Sequence, residues 1–166
     1  LISLDAIRYN FEQMKKNIKE GTKIIAVIKA DAYGHGAVPI ARMLEEFDYI
    51  WGFAAATAQE ALQLRRAGIT RPILILGLVF EEYYKKLAEN DVRMAVCDYE
   101  TARKFNKAAE AAGKKGLIHL AADTGMTRIG FKDREESLEE IRRIAALPNV
   151  EIEGLFTHFA RADEYD

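Results

Sequence analysis

The chain reads as an α/β protein built on a parallel sheet, and three observations lead there. Short β-branched runs alternate with helical periods from end to end. Hairpin signals between those runs are lacking, so successive strands are joined by right-handed crossovers that keep them parallel. The third observation is size: 166 residues, 49% of them apolar, with a formal charge of −2, make a single domain able to bury a substantial core. That charge offers no electrostatic case for nucleic acid. The longest apolar run, Ile73 to Phe80, is too short to span a bilayer. The N-terminus lacks the basic, apolar and small-residue succession of a signal peptide, although a chain that starts at Leu1 can be a trimmed one. Cys97 is the single cysteine, so it allows no internal disulfide, and its apolar strand-like surroundings read as core. Together these features predict a reducing cytoplasm.

The elements follow in order. Ile7, Phe11, Met14 and Ile18 share one face of a first helix that Gly21 ends. Ile24 to Lys29 is the first strand, and a helix from about Ala37 to Phe47 comes after it. Tyr49 to Ala54 forms the second strand, and Thr57 with Glu60 makes a capping box for the helix that stops at Gly68. Ile73 to Leu76 is a short buried strand, with a helix over Glu81 to Asn90. Val92 to Cys97 is the fourth strand, and Asp98 caps a helix through Ala102, Phe105, Ala109 and Ala112 to Gly113. Leu117 to Ala122 is the fifth. Asp133 and Glu136 are expected to cap the last helix, with Leu138, Ile141 and Ala145 inward, before a sixth strand from Val150 to Thr157. Open doubly wound sheets and closed barrels both fit this alternation, but no Gly-x-Gly-x-x-Gly follows the first strand, which weakens a dinucleotide fold.

Chemistry in parallel α/β folds gathers at the carboxyl ends of strands, and three of those ends stand out. Lys29 closes the first strand and alternates with Ile25 and Val27. If that face is core, burial lowers the amine's pKa and makes it a nucleophile suited to Schiff-base chemistry. The alternative is a strand-end lysine whose ammonium reaches water. Asp123-Thr124-Gly125-Met126-Thr127-Arg128-Ile129-Gly130 follows the fifth strand, and His158 follows the sixth, continuing the alternation of Ile152, Gly154 and Phe156 and so expected to point inward with them. His119 reads as a buried strand histidine and His35 as a support for its turn. Gly34 and Gly36 permit a tight backbone turn.

The undecapeptide Ala26-Val27-Ile28-Lys29-Ala30-Asp31-Ala32-Tyr33-Gly34-His35-Gly36 closely resembles the pyridoxal-phosphate lysine motif of bacterial alanine racemases. The Asp123 to Gly130 segment resembles a second signature of that family, and the likeness extends over essentially the whole chain. What the resemblance implies is a parallel (β/α) TIM-barrel of the alanine racemase type with about six of its eight strands present. Residues 1–166 would then be one partial N-terminal barrel domain, without the C-terminal β domain. It further implies that Lys29 binds pyridoxal 5'-phosphate covalently and is catalytic. Tyr33 would donate toward the cofactor phosphate, Arg128 would bind near the cofactor's phenolic oxygen and the substrate carboxylate, and His158 would pack beside the ring. No metal is implied.

The implied reaction interconverts L-alanine and D-alanine, supplying D-alanine for peptidoglycan. Inverting a stereocentre needs an acid/base on each face, and the family's second one is a tyrosine from the β domain of a partner subunit in a homodimer. Chain 1–166 is therefore expected to be inactive alone and, with open strand edges, to self-associate. A non-catalytic pyridoxal-phosphate-binding protein and a serine racemase domain of a larger membrane protein are the other readings of the same residues. Two positions depart from the family pattern: Ala121 stands where many racemases have a lysine that braces the arginine matched by Arg128, and Thr127 stands where glycine or serine is commoner.

Overall fold

The computed structural model describes residues 1–164 and divides the chain into two compact units, Leu1–Leu76 and Gly77 onward. In the first unit, α1 (Leu4–Lys16) opens where the Ser3 hydroxyl accepts the Ala6 N–H at 3.2 Å. Strands β1 (Ile24–Val27), β2 (Ile50–Ala55) and β3 (Ile73–Ile75) then run parallel, with Ala26 opposite Phe53 and Phe53 opposite Ile73. Phe53, Ile50, Ile73 and Leu74 bury their side chains together with Leu44 of α3 (Ala37–Leu44) and Leu64 of α4 (Ala58–Arg66). Gly52 is required by the close approach of the β3 lead-in, because a Cβ there would lie 2.2 Å from the Pro72 carbonyl oxygen.

The expected first strand is shorter than the apolar run. Its ladder ends where the Ile28 N–H donates to the Ala54 carbonyl at 2.9 Å, and Lys29 enters α2 (Lys29–Gly34). The turn there is not made by glycines alone: Ala30, Asp31, Ala32 and Tyr33 all have φ between 50 and 54°, a run of left-handed helix in non-glycine residues. Left-handed backbone costs an L-residue about 1–2 kcal/mol, so four in succession store roughly 4–8 kcal/mol that other contacts must offset.

In the second unit, β4 (Val92–Val96), β5 (Gly116–Ala122) and β6 (Val150–Thr157) are parallel, with Ala95 opposite His119 and His119 opposite Gly154. The helix expected over Glu81 to Asn90 is a 3₁₀ turn (Glu81–Tyr83) leading into α5 (Tyr84–Glu89). Asp98 caps α6 (Tyr99–Ala111) as expected, accepting the Thr101 N–H at 2.7 Å. Phe105 of α6 is fully buried and meets Tyr84 edge-on with ring centroids 5.7 Å apart.

Helix α7 (Glu135–Ala145) corrects two expectations. Arg134 occupies the cap position without a side-chain hydrogen bond, so Asp133 is not the cap. A different face also turns inward. Ser137 and Ile144 are buried with Ile141 half-buried between them, while Leu138 and Ala145 face water. The buried stripe runs i, i+4, i+7 from a serine, a residue that apolar patterning alone counts as solvent-facing.

Candidate functional site

In the first unit the site is built around Lys29. Ile25 and Val27, with which it alternates, are the exposed face of β1, while Ala26 and Ile28 are buried. The face that carries Lys29 is thus open rather than core, and the lysine itself is half-buried. Its Nζ lies 5.9 Å from the centroid of the Tyr33 ring, within cation–π range. Tyr33 is 61% exposed, leaving its hydroxyl free to meet a ligand.

Two carboxylates hold the left-handed turn in place. Asp31 Oδ1 accepts the first N–H of α3, from Ala37, at 2.7 Å, and its carbonyl accepts the Gly36 N–H at 2.9 Å. Glu60 Oε1 accepts the Ala30 N–H at 2.9 Å, while Oε2 accepts the Ala56 and Thr57 N–H groups at 2.8 and 3.3 Å. Each hydrogen bond to a charged acceptor contributes about 1.5–3 kcal/mol, so the Asp31–Ala37 and Glu60–Ala30 bonds offset much of the backbone strain. His35 Nδ1 sits 3.0 Å from the Ala32 carbonyl, an acceptor only, so this nitrogen carries the proton and donates it. His35 thus supports the turn, as the sequence suggests.

In the second unit, Asp123 organises the loop after β5. Its Oδ1 accepts the Thr127 and Gly125 N–H groups at 2.8 and 3.0 Å, and these bonds, Thr127's the larger, hold the carboxyl below its ordinary range. The loop closes on itself where the Phe131 N–H donates to the Ala121 carbonyl at 2.8 Å and the Asp123 N–H to the Phe131 carbonyl at 2.9 Å. Gly130 permits that closure: a Cβ there would lie 2.5 Å from the Asp123 nitrogen. Thr127 has φ 54°, a left-handed backbone in a β-branched residue.

Arg128 and His158 meet in this unit, lining a small cavity with Ala122, Asp123, Met126 and Ile129. His158 is exposed, two positions beyond the half-buried Phe156. β6 ends at Thr157, whose hydroxyl donates to the Ala122 carbonyl at 2.9 Å. On β6 Glu151 and Leu155 face out, while the register shift at Glu153 turns its carboxylate to Arg93 and His119.

His119 is buried, and its Nε2 lies 3.0 Å from Glu153 Oε2. Arg93 donates to both oxygens of the same carboxylate, at 2.9 and 2.8 Å. Arg93 first, then His119, hold the Glu153 carboxyl below its ordinary range against the opposing effect of burial. Burial and the neighbouring Asp98 carboxylate push the half-buried Cys97 thiol upward, the setting of an inert cysteine. Among the described residues no cluster of three or more His, Cys, Asp or Glu is placed to hold a metal, and no helix is long and apolar enough to cross a membrane.

Sequence reasoning singled out Lys29, Tyr33, Arg128 and His158 as candidates and gave no site role to Asp31, Glu60 or Asp123, whose hydrogen bonds hold the two loops. Glu60 was visible only as half of a capping box, since a bond thirty positions back to Ala30 leaves no local signature.

Parallel strands alternating with helices make this an α/β protein, and its likeness to the solved structures below places it in the (β/α)-barrel class. The family model for the alanine racemase N-terminal domain matches residues 2–166, and the chain belongs to that family. Alanine racemase of Clostridium difficile 630 has a TM-score of 0.95 and 45% identity, over 98% of this chain and 43% of its own. Alanine racemase of Methanococcus maripaludis is 43% identical over 99% of this chain. A histidine racemase from Leuconostoc mesenteroides shares the fold at a TM-score of 0.85 and 32% identity, over 96% of this chain and 42% of its own. The chain spans less than half the length of these relatives, 44% of the Methanococcus protein.

Proposed function

We propose that this chain is the cofactor-lysine-bearing part of a pyridoxal-phosphate-dependent alanine racemase. The observation that carries the reading is Lys29 at the mouth of β1, followed by a bonded left-handed turn that presents Tyr33 beside it. The residues fit the group chemically. An amine suits an aldehyde, a phenol suits a phosphate, and a guanidinium with a neighbouring imidazole suits carboxylate and phenolate oxygens. When bound, pyridoxal phosphate supplies an electron sink for the charge left as an α-proton departs.

The chain's own residues have the following roles. The Lys29 amine anchors the cofactor and moves the α-proton on one face of the substrate. Tyr33 donates its hydroxyl toward the phosphate. Arg128, held up by the loop that Asp123 organises, binds the substrate carboxylate, and His158 borders the same space. Alanine as the substrate rests on the names of relatives more than 40% identical, such as the Methanococcus protein. The second acid/base comes from the β domain of a partner subunit in a homodimer, so residues 1–166, one part of the barrel domain, do not racemise alone. The place of action is the cytoplasm, and the product feeds peptidoglycan.

The test is borohydride trapping of the full-length protein with pyridoxal phosphate, followed by peptide mapping. The pyridoxyl label is expected on Lys29 and is absent from Lys29→Ala. A label on another lysine, undiminished in that variant, would refute the assignment.

A further inference from the structure

The geometry points to Glu60 as the residue that positions Lys29, an inference that rests on the racemase reading for its functional consequence but not for its structural one. The Ala30 N–H belongs to the peptide whose carbonyl is that of Lys29, so an acceptor on it fixes the lysine's outgoing backbone. That acceptor is Glu60 Oε1, at 2.9 Å. The other oxygen is committed to Ala56 and Thr57, the residues that leave β2. One half-buried carboxylate therefore ties the end of the second strand to the first left-handed residue after the lysine.

This exceeds the duty of a helix cap. A capping box needs the Thr57 hydroxyl on the Glu60 N–H and the Glu60 side chain on the Thr57 N–H, and both are present. The bond to Ala30 adds nothing to the helix. It opposes relaxation of Ala30 toward right-handed backbone, which would swing the Lys29 side chain away from Tyr33. Since a covalently anchored cofactor is sensitive to small displacements of its anchor, releasing the turn weakens cofactor capture without removing any group that touches it.

The experiment compares Glu60→Gln, Glu60→Ala and Thr57→Ala in the full-length protein by amide hydrogen exchange and by pyridoxal-phosphate affinity. A glutamine retains one acceptor oxygen and cannot serve both sides, and Ala30 is the side with a single bond to lose. Exchange at Ala30 should quicken by about ten- to hundredfold in both Glu60 variants, the worth of a bond to a charged acceptor. The cofactor dissociation constant should rise about tenfold. Thr57→Ala, which breaks the cap and spares the Ala30 bond, should lower the unfolding midpoint and leave both readouts near wild type.

Ala30 exchange unchanged in both Glu60 variants would overturn the proposal. So would faster exchange with unchanged cofactor affinity, or Thr57→Ala acting as strongly as Glu60→Gln. If Glu60→Ala fails to fold, Glu60→Gln carries the test. A wild-type protein that binds no cofactor at Lys29 would defeat the racemase reading instead, leaving the positioning of the turn to be decided by Ala30 exchange.

Discussion

Replacing Thr127 by glycine should stabilise the protein. Thr127 is exposed and carries φ 54°, a backbone in which a β-branched side chain is crowded by its own chain. Its contribution to the loop is a backbone N–H, donated to Asp123 at 2.8 Å, which glycine keeps. Removing the side chain relieves about 1–2 kcal/mol of left-handed strain. The added freedom of glycine in the unfolded chain takes back about 0.5–1 kcal/mol. The net gain is about 0.5–1 kcal/mol, a factor of roughly two to five in the folding constant. With a urea dependence of about 2 kcal/mol per molar, the midpoint should rise by about 0.25–0.5 M. Thr127→Ala, which removes the branching and keeps Cβ, should gain less. Urea titration of the full-length protein followed by far-ultraviolet circular dichroism measures all three. A midpoint that falls in Thr127→Gly would show that the threonine side chain contributes more than its backbone costs, and would refute the reasoning.

Two further outcomes concern the sheet. Because Arg93 and then His119 depress the folded pKa of Glu153, this carboxylate stabilises the fold above its unfolded value of about 4.3 and stops doing so as the pH falls through the folded value. Arg93→Ala should destabilise at neutral pH by about 2 kcal/mol and flatten that acid limb, and an unchanged limb in a pH series of melts would contradict it. Separately, Ile25, Val27 and Leu155 are exposed at 37, 41 and 68% on strands β1 and β6. Chain 1–166 should therefore self-associate through apolar faces or strand edges, and light scattering that reports a monomer at every concentration would count against it.

What could be read from residues alone followed what periodicity and composition encode. The six strands and the helices between them were legible because each has its own period and its own punctuation, and Asp98 and the Thr57–Glu60 pair are local signals. The apolar face of α7 was misplaced because its inward stripe includes Ser137, whose burial depends on its neighbours. Whether the Lys29 side of β1 is covered was left open by the residues for a similar reason. Alternation says which residues share a side of β1, not which side is covered, and Ile25 and Val27 are as apolar as the buried Ala26 and Ile28. Site residues stood out where motif letters were dense. The left-handed turn did not, because glycines at positions 34 and 36 suggest where the backbone bends but not that four non-glycine residues before them bend the same way.

That turn has the handedness that mirror-image amino acids prefer. A D-residue finds at positive φ the comfort an L-residue finds in the ordinary helix. At Ala30, whose side chain faces water, semisynthesis with D-alanine would place the same atoms on an unstrained backbone, whereas at Ala32 the inverted methyl would abandon a buried site. The stretch of chain beside the proposed racemase lysine is thus a place where the protein's own stereochemistry works against its shape at one position and is enforced by packing two positions on.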